Sequence, residues 1–127
     1  MVTTRLYISD EHPTVRSALA ERLSRDASLS VIGQSGDAET LLSDIRKDKP
    51  DVVLVEVKRT DGLGLEIIRQ VANMPAPPFL IVLTSYASRW EEDAASRAGA
   101  TAYLLKDIDT GELIRHIHRL VARDPQP

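Results

Sequence analysis

Four places along the chain carry side chains that could act together on a charged ligand: Asp10 with Glu11, Glu56, Thr84 with Ser85, and Lys106. Three carboxylates brought together repel one another unless a cation or a proton compensates them. Oxygen-only ligands suit a hard ion such as Mg2+, which keeps several waters and takes few protein carboxylates. A lysine and a threonine hydroxyl suit an incoming phosphoryl group, one as a point charge and the other as a donor. Each group alone has a plainer reading: an acid at a helix N-terminus, an ordinary strand threonine, a solvated loop lysine. What points to a site is that the groups are complementary and that each closes a different strand.

Those strands are legible in the apolar pattern. Leu6-Tyr7-Ile8 is a short apolar run that ends in Ser9-Asp10-Glu11. Pro13 is well placed in a first helical turn, and Val15, Leu19 and Leu23 with Ala18 and Ala20 recur at helical spacing to about Ser24. Leu29 to Ile32 reads as a second strand, and Asp37 as the cap of a helix carrying Leu41, Leu42 and Ile45 that stops before Pro50. Residues 50–64 read PDVVLVEVKRTDGLG, in which the β-branched run Val52 to Val55 is a strand buried on both faces. Leu65, Ile67, Ile68 and Val71 form a third helix, ended by the prolines from Pro75 to Pro78. Phe79 to Leu83 is the fourth strand, Arg89 to Arg97 a helix closed by Gly99, and Thr101 to Leu105 the fifth strand. Asp109, three residues before Glu112, starts a last helix in the manner of a capping box, with Leu113, Ile114, Ile117, Leu120 and Val121 behind it. Five strands alternating with five helices predict right-handed crossovers and a parallel sheet covered on both faces. In such sheets ligands sit beyond the carboxyl ends of the strands, where the polar residues of the first paragraph fall.

Composition narrows the class. The 127 residues fit one domain, and 43% hydrophobic with 28% charged residues is the balance of a globular protein. With no cysteine, disulfides, thiol catalysis and thiolate metal sites are excluded. No apolar run approaches the roughly 18 residues of a membrane span, and residues 1–13 lack the pattern of a secretory leader. A net charge of −3 and sparse aromatics argue against nucleic-acid binding by this segment itself. No G-x-x-x-x-G-K-[ST] motif is present.

The segments YISDEHPTVRSAL, PDVVLVEVKRTDGLGLEII, IVLTSYAS and RAGATAYLLKD together resemble the receiver domain of bacterial two-component response regulators, over residues 4–122. AGATAYLLKD is similar to the receivers that precede LuxR/NarL-type helix-turn-helix domains. The resemblance implies a flavodoxin-like (βα)5 domain over residues 1–122, with sheet order 2-1-3-4-5. A linker-like tail at 123–127 would then lead to an output domain outside this sequence. It also implies roles. Asp10 and Glu11 match the acidic pair that holds Mg2+, with the carbonyl of Lys58 as a further contact. Thr84 matches the switch hydroxyl, Tyr103 the aromatic that moves with it, and Lys106 the phosphate-pairing lysine. Glu56 falls where the family has its phospho-accepting aspartate.

The departures lie in one stretch: Glu56 for aspartate, Arg59-Thr60 for Met-Pro, and Leu63 for a common aspartate. Glutamate carries its carboxylate about 1.5 Å farther. Phosphoryl transfer depends on positioning, and a displacement of about 1 Å costs on the order of 100-fold in rate. Glu56 is therefore expected to be a poor acceptor, and Mg2+ to bind weakly through Asp10, Glu11, Glu56 and Lys58. Three readings stay open. Glu56 mimics a phosphorylated state by pairing with Lys106 and accepting from Thr84; it is a neutral relic; or it, or a neighbour, retains slow phosphorylation. Arg59 bears on all three, because it could neutralise Glu56.

The expected function is an atypical receiver without turnover of its own, cytoplasmic and largely independent of phosphorylation. Its output would be set by a homodimer, a regulatory protein or a small-molecule partner, and it would reach DNA only through a further domain. The competing readings are a receiver phosphorylated by a histidine kinase and, from another class, a flavodoxin-like FMN carrier. The acidic turn after the first strand opposes the latter, because phosphate-cradling loops there need glycine or hydroxyl residues. The output surface would include Trp90, Glu91, Glu92, Arg97, Tyr103, Arg115, His116, His118 and Arg119. Trp90 would be either a partly exposed anchor or folded back over the Thr84 loop.

Overall fold

The computed structural model describes residues 3–122, so the expectation of a linker-like tail at 123–127 lies outside the described residues. Strands β1 (Thr4–Ser9), β2 (Leu29–Ser35), β3 (Val52–Val55), β4 (Phe79–Thr84) and β5 (Ala102–Leu105) alternate with α1 (Pro13–Ser24), α2 (Ala38–Asp48), α3 (Gly64–Ala72), α4 (Arg89–Ala98) and α5 (Thr110–Ala122). All neighbouring strands pair in parallel, in the order β2-β1-β3-β4-β5. This is the parallel sheet covered on both faces that the alternation predicts, in the flavodoxin-like order that the resemblance implies.

Period-two alternation splits the core in two. Leu6, Ile8, Val52, Leu54, Ile81 and Leu83 face α1 and α5, where Leu23, Leu113 and Ile117 meet them. Tyr7, Val53, Val55, Leu80 and Val82 face the other way, against Leu41, Ile45, Ile67, Ile68 and Val71 of α2 and α3 and Ala95 of α4. Central strands buried on both sides therefore read as unbroken apolar runs. The chain leaves β1 for β2 on one side and returns to β3 on the other. That reversal opens a crevice between the carboxyl ends of β1 and β3.

Local signals place the elements. Asp37 accepts from the Thr40 amide at 2.8 Å and Ser88 from the Glu91 amide at 3.0 Å, caps that contribute about 1 kcal/mol each. The capping box at α5 is half made. Asp109 accepts from the Glu112 amide at 3.2 Å, but the Glu112 carboxylate turns to Arg115 at 2.7 Å.

Two elements differ from the sequence reading. Strand β2 runs to Ser35 rather than Ile32, and its register with β1 shifts between Leu6 and Tyr7. The Tyr7 ring lies across Gly33, where a Cβ would meet ring carbons at 2.8 Å, and its hydroxyl reaches Asp44 at 2.6 Å. A large side chain crossing the neighbouring strand needs a glycine beneath it. Helix α1 is rotated from its apparent apolar face: Leu23 and Ala20 are buried, while Val15 is 45% exposed. Val15 and Leu19 instead border the cleft beside Asp10, Glu56 and Lys106.

Gly64 begins α3 directly against the end of β3, and a Cβ there would collide with the carbonyl oxygen of Val57. The clash is with backbone, which a side-chain rotation cannot relieve. Gly64→Ala is expected to cost about 3 kcal/mol or more, read as a lower urea midpoint with an unchanged slope.

Candidate functional site

The carboxyl ends of three strands meet at one ammonium group. Asp10 follows β1, Glu56 follows β3 and Lys106 follows β5. Lys106 Nζ donates to Asp10 Oδ2 at 2.7 Å and to Glu56 Oε1 at 2.6 Å. Both carboxylates are buried. Burial pushes Lys106 toward its neutral form, but its hydrogen bonds to Asp10 and Glu56, and their charges, outweigh that and hold its pKa above the usual lysine value. Burial also raises Asp10, yet Lys106 and the His12 amide, which donates at 2.8 Å, bring it below the usual carboxylate range. Glu56 goes the other way. Burial raises it, Lys106 offsets this only in part, and the charge of Asp10 adds to the rise.

The remaining oxygens of the pair converge with an imidazole. His12 Nδ1 lies 3.1 Å from Asp10 Oδ1 and 3.7 Å from Glu56 Oε2. Asp10, His12 and Glu56 form the group of potential metal-ligating side chains among the described residues. Glu56 Oε2 is buried and has no hydrogen-bond partner among them. Sequence reasoning paired Glu11, not His12, with Asp10. The structure turns Glu11 outward, onto the Thr60 amide at 2.8 Å and the Thr60 hydroxyl at 2.9 Å. A proline at position 60 could make neither bond, since it lacks both the N–H and the hydroxyl. The signal for His12 was its place two residues after Asp10, within the same turn.

Arg59 makes no hydrogen bond or ion pair with Glu56, whose charge adds to the rise of the Arg59 pKa only after Asp61 and Glu11. Its guanidinium is buried against Asp61 at 2.9 Å and the carbonyl of Gly36 at 2.8 Å. Thr84 does not reach Glu56 either: its hydroxyl donates to the carbonyl of Tyr86 at 3.1 Å. Glu56 thus makes one of its two expected contacts, the one with Lys106.

A second polar network lies under the start of α4. Glu91, expected on the output surface, is only 4% exposed. The Tyr103 hydroxyl donates to Glu91 Oε1 at 2.7 Å and accepts from the Ser88 amide at 3.1 Å. Burial raises the Tyr103 pKa, and the Glu91 hydrogen bond adds to it. Lys58 Nζ approaches Glu91 Oε2 at 3.8 Å and donates to the Tyr86 carbonyl at 3.0 Å. The capped helix end and the tyrosine together fix Glu91 inward. Trp90 is 73% exposed, so it does not fold back over the Thr84 loop. Arg97, Arg115 and Arg119 are exposed, and His118 is held by Ser28 at 2.8 Å.

A doubly wound parallel sheet with carboxylates and a lysine at its switch point defines the class of receiver-like α/β domains. Within that class, residues 6–118 match the family described as the response regulator receiver domain, and the chain belongs to it. It is 32% identical over 113 residues to the DNA-binding transcriptional activator DevR/DosR of Mycobacterium tuberculosis, covering 89% of this chain and 52% of that protein. It is 31% identical over 122 residues to the transcriptional regulatory protein PdtaR of the same organism, covering 96% of this chain and 58% of that protein. The chain thus spans about half the length of these relatives. Among solved structures, the signal receiver domain of the putative response regulator NarL from Mycobacterium tuberculosis superposes with a TM-score of 0.89 at 23% identity, over 97% of this chain and 99% of that one. A LuxR-family response regulator from Aurantimonas superposes at 0.87 with 25% identity, over 94% and 86%. The chain is therefore a receiver domain with transcription regulators among its relatives. No helix of the described residues is long and apolar enough to cross a membrane.

Receiver domains typically hold Mg2+ at this acidic pocket. The donor atoms gathered here fit that ion poorly: Glu11 is engaged by Thr60, and the third atom beside Asp10 and Glu56 is a nitrogen.

The opposed shifts of Asp10 and Glu56 give a test. Asp10 is stabilising when charged, so its contribution is complete above the usual carboxylate range and lost as pH falls through its depressed folded value. Glu56 is held more protonated in the fold, so its effect on stability falls as pH rises from its usual value to its raised one. At pH 7, Asp10→Asn should cost about 1–3 kcal/mol. Glu56→Gln should cost less than half as much, measured by urea unfolding; the reverse order would contradict this electrostatic assignment.

Proposed function

We propose that this receiver works without phosphoryl transfer, because Glu56 already supplies Lys106 with the anion that a phosphorylated aspartate would bring. The observation that carries this reading is the 2.6 Å hydrogen bond between Lys106 Nζ and Glu56 Oε1. Lys106, matched to the phosphate-pairing lysine, is held by two carboxylates, Asp10 and Glu56. The position of the acceptor is filled by a carboxylate whose extra methylene carries it toward the ammonium. Phosphorylation of Glu56 would have to break this bond in a site where placement controls rate.

The mimicry is partial. Thr84 is bound to its own loop at Tyr86, and Tyr103 is bound to Glu91 and Ser88. The lysine end of the switch is bound to Glu56, while the hydroxyl end is held by its own loop and makes no bond to Glu56. Output then depends on what binds near α4, β5 and α5, where Trp90, Arg97, Arg115 and Arg119 are exposed. A second copy of the chain or a regulatory protein would use that surface in place of a signal from a histidine kinase. By analogy with DevR/DosR, described as a DNA-binding transcriptional activator, the receiver spans residues 1–122 of a cytoplasmic transcription regulator. DNA would be met by a further domain, and the receiver performs no turnover.

Incubation with acetyl phosphate and Mg2+ should leave the intact mass of the chain unchanged. Glu56→Asp should shorten the carboxylate, break its bond to Lys106, which stays bonded to Asp10, and allow a mass gain of one phosphate. Stoichiometric phosphorylation of the unaltered chain at Glu56 would overturn the reading.

A further inference from the structure

The pocket has a second set of ligand atoms, in which Asp10 Oδ1 accepts from the His12 amide at 2.8 Å and Glu56 Oε2 has no hydrogen-bond partner. Lys106 takes one oxygen from each carboxylate, Asp10 Oδ2 and Glu56 Oε1. The other two oxygens turn away from the ammonium, toward His12. We propose that Asp10 Oδ1, Glu56 Oε2 and His12 Nδ1 form a three-ligand site for a divalent ion of the Zn2+ class, in place of the Mg2+ that the fold would lead one to expect.

Three observations carry this. First, the atoms are close enough: all three side chains offer a ligand atom within 4.8 Å of one another. The 3.1 and 3.7 Å separations from His12 Nδ1 bracket the edge of about 3.4 Å of a tetrahedron with bonds of about 2.0–2.1 Å. Second, Glu56 Oε2 is unpartnered in a side chain that is 8% exposed. A buried carboxylate oxygen without a donor is rare and points to a missing ion or water. Third, an imidazole with two carboxylates is a donor set for borderline ions such as Zn2+, whereas Mg2+ demands oxygen ligands in octahedral geometry.

The chain's own loop favours this choice. Glu11, the oxygen ligand that Mg2+ would recruit, is committed to Thr60 by two hydrogen bonds. His12 is largely exposed, which leaves an entry path and room for a water as the fourth ligand. Binding requires His12 to carry its proton on Nε2, and it replaces the contact between Nδ1 and Asp10 Oδ1. Lys106 stays where it is, holding the carboxylates from behind. The inference does not rest on phosphorylation independence; it needs only these three atoms and the engagement of Glu11.

Co2+ serves as the spectroscopic probe, in the 127-residue chain with His116→Gln and His118→Gln to remove the other imidazoles. One equivalent should give the intense visible absorption of a four-coordinate ion. One equivalent of Zn2+ should displace it, and a hundredfold excess of Mg2+ should not. His12→Gln should weaken binding at least tenfold, and Glu11→Gln should leave it unchanged. Both variants are to be checked for native circular dichroism. Absence of the Co2+ spectrum, equal competition by Mg2+, or a loss on Glu11→Gln as large as on His12→Gln would overturn the proposal. Phosphorylation of the unaltered chain would sink the reading of the previous subsection and leave these outcomes in place.

Discussion

A lysine held between two buried carboxylates is the interaction on which the rest of the site depends. Without Lys106, Asp10 and Glu56 would be two like charges in a low-dielectric rim, and one would take up a proton. Without the carboxylates, Lys106 would be a poorly solvated cation pushed toward its neutral form. Each solves the other's desolvation problem, and the three residues close β1, β3 and β5. The pairing can form because the sheet is parallel, so that every strand delivers its last residue to one edge. The reversal between β1 and β3 leaves room there for side chains rather than helix. A buried ion pair of this kind contributes little net stability compared with an apolar alternative. It does fix where Lys106 points.

Residues of the β3–α3 segment are connected to one another through the pocket. Glu56 engages Lys106. Thr60 provides the amide and hydroxyl that draw Glu11 out of the acidic pair. Arg59 folds under the β3–α3 loop, clamping it to Asp61 and to the carbonyl of Gly36 after β2. One consequence is a loop held in place by side chains rather than by the rigidity of proline. The other is an inner site in which His12 replaces Glu11 as the neighbour of Asp10. Residues of one short segment therefore decide which groups face the crevice, above a sheet of order β2-β1-β3-β4-β5.

On the far side of Thr84, Glu91, Tyr103, Ser88 and Lys58 form a separate network beneath α4. A buried carboxylate satisfied mainly by a tyrosine hydroxyl holds that tyrosine in place without reference to Glu56. The exposed Trp90 rides on the same first turn of α4. Surface and pocket share Thr84 as their boundary, and Thr84 bonds to neither carboxylate of the pocket.

The sequence by itself determined the elements, their order and the polar groups at the strand ends. These rest on local physics: β-branched runs for β3 and β4, caps at Asp37 and Asp109, and prolines after α3. The strand-end position of Asp10, Glu56, Thr84 and Lys106 follows from the same pattern. Only the tertiary structure decided which way the side chains turn. Glu11 and Asp10 are adjacent in sequence, yet Thr60, 49 residues away, pulls one of them aside. Glu91 looks like a surface acid on a charged helix until Tyr103 is brought beneath it. Val15 keeps the spacing of a core residue but borders the cleft. In each case the partner arrives from a distant strand or loop, and the free energy of a polar contact is set by that partner and by burial, neither of which local periodicity records.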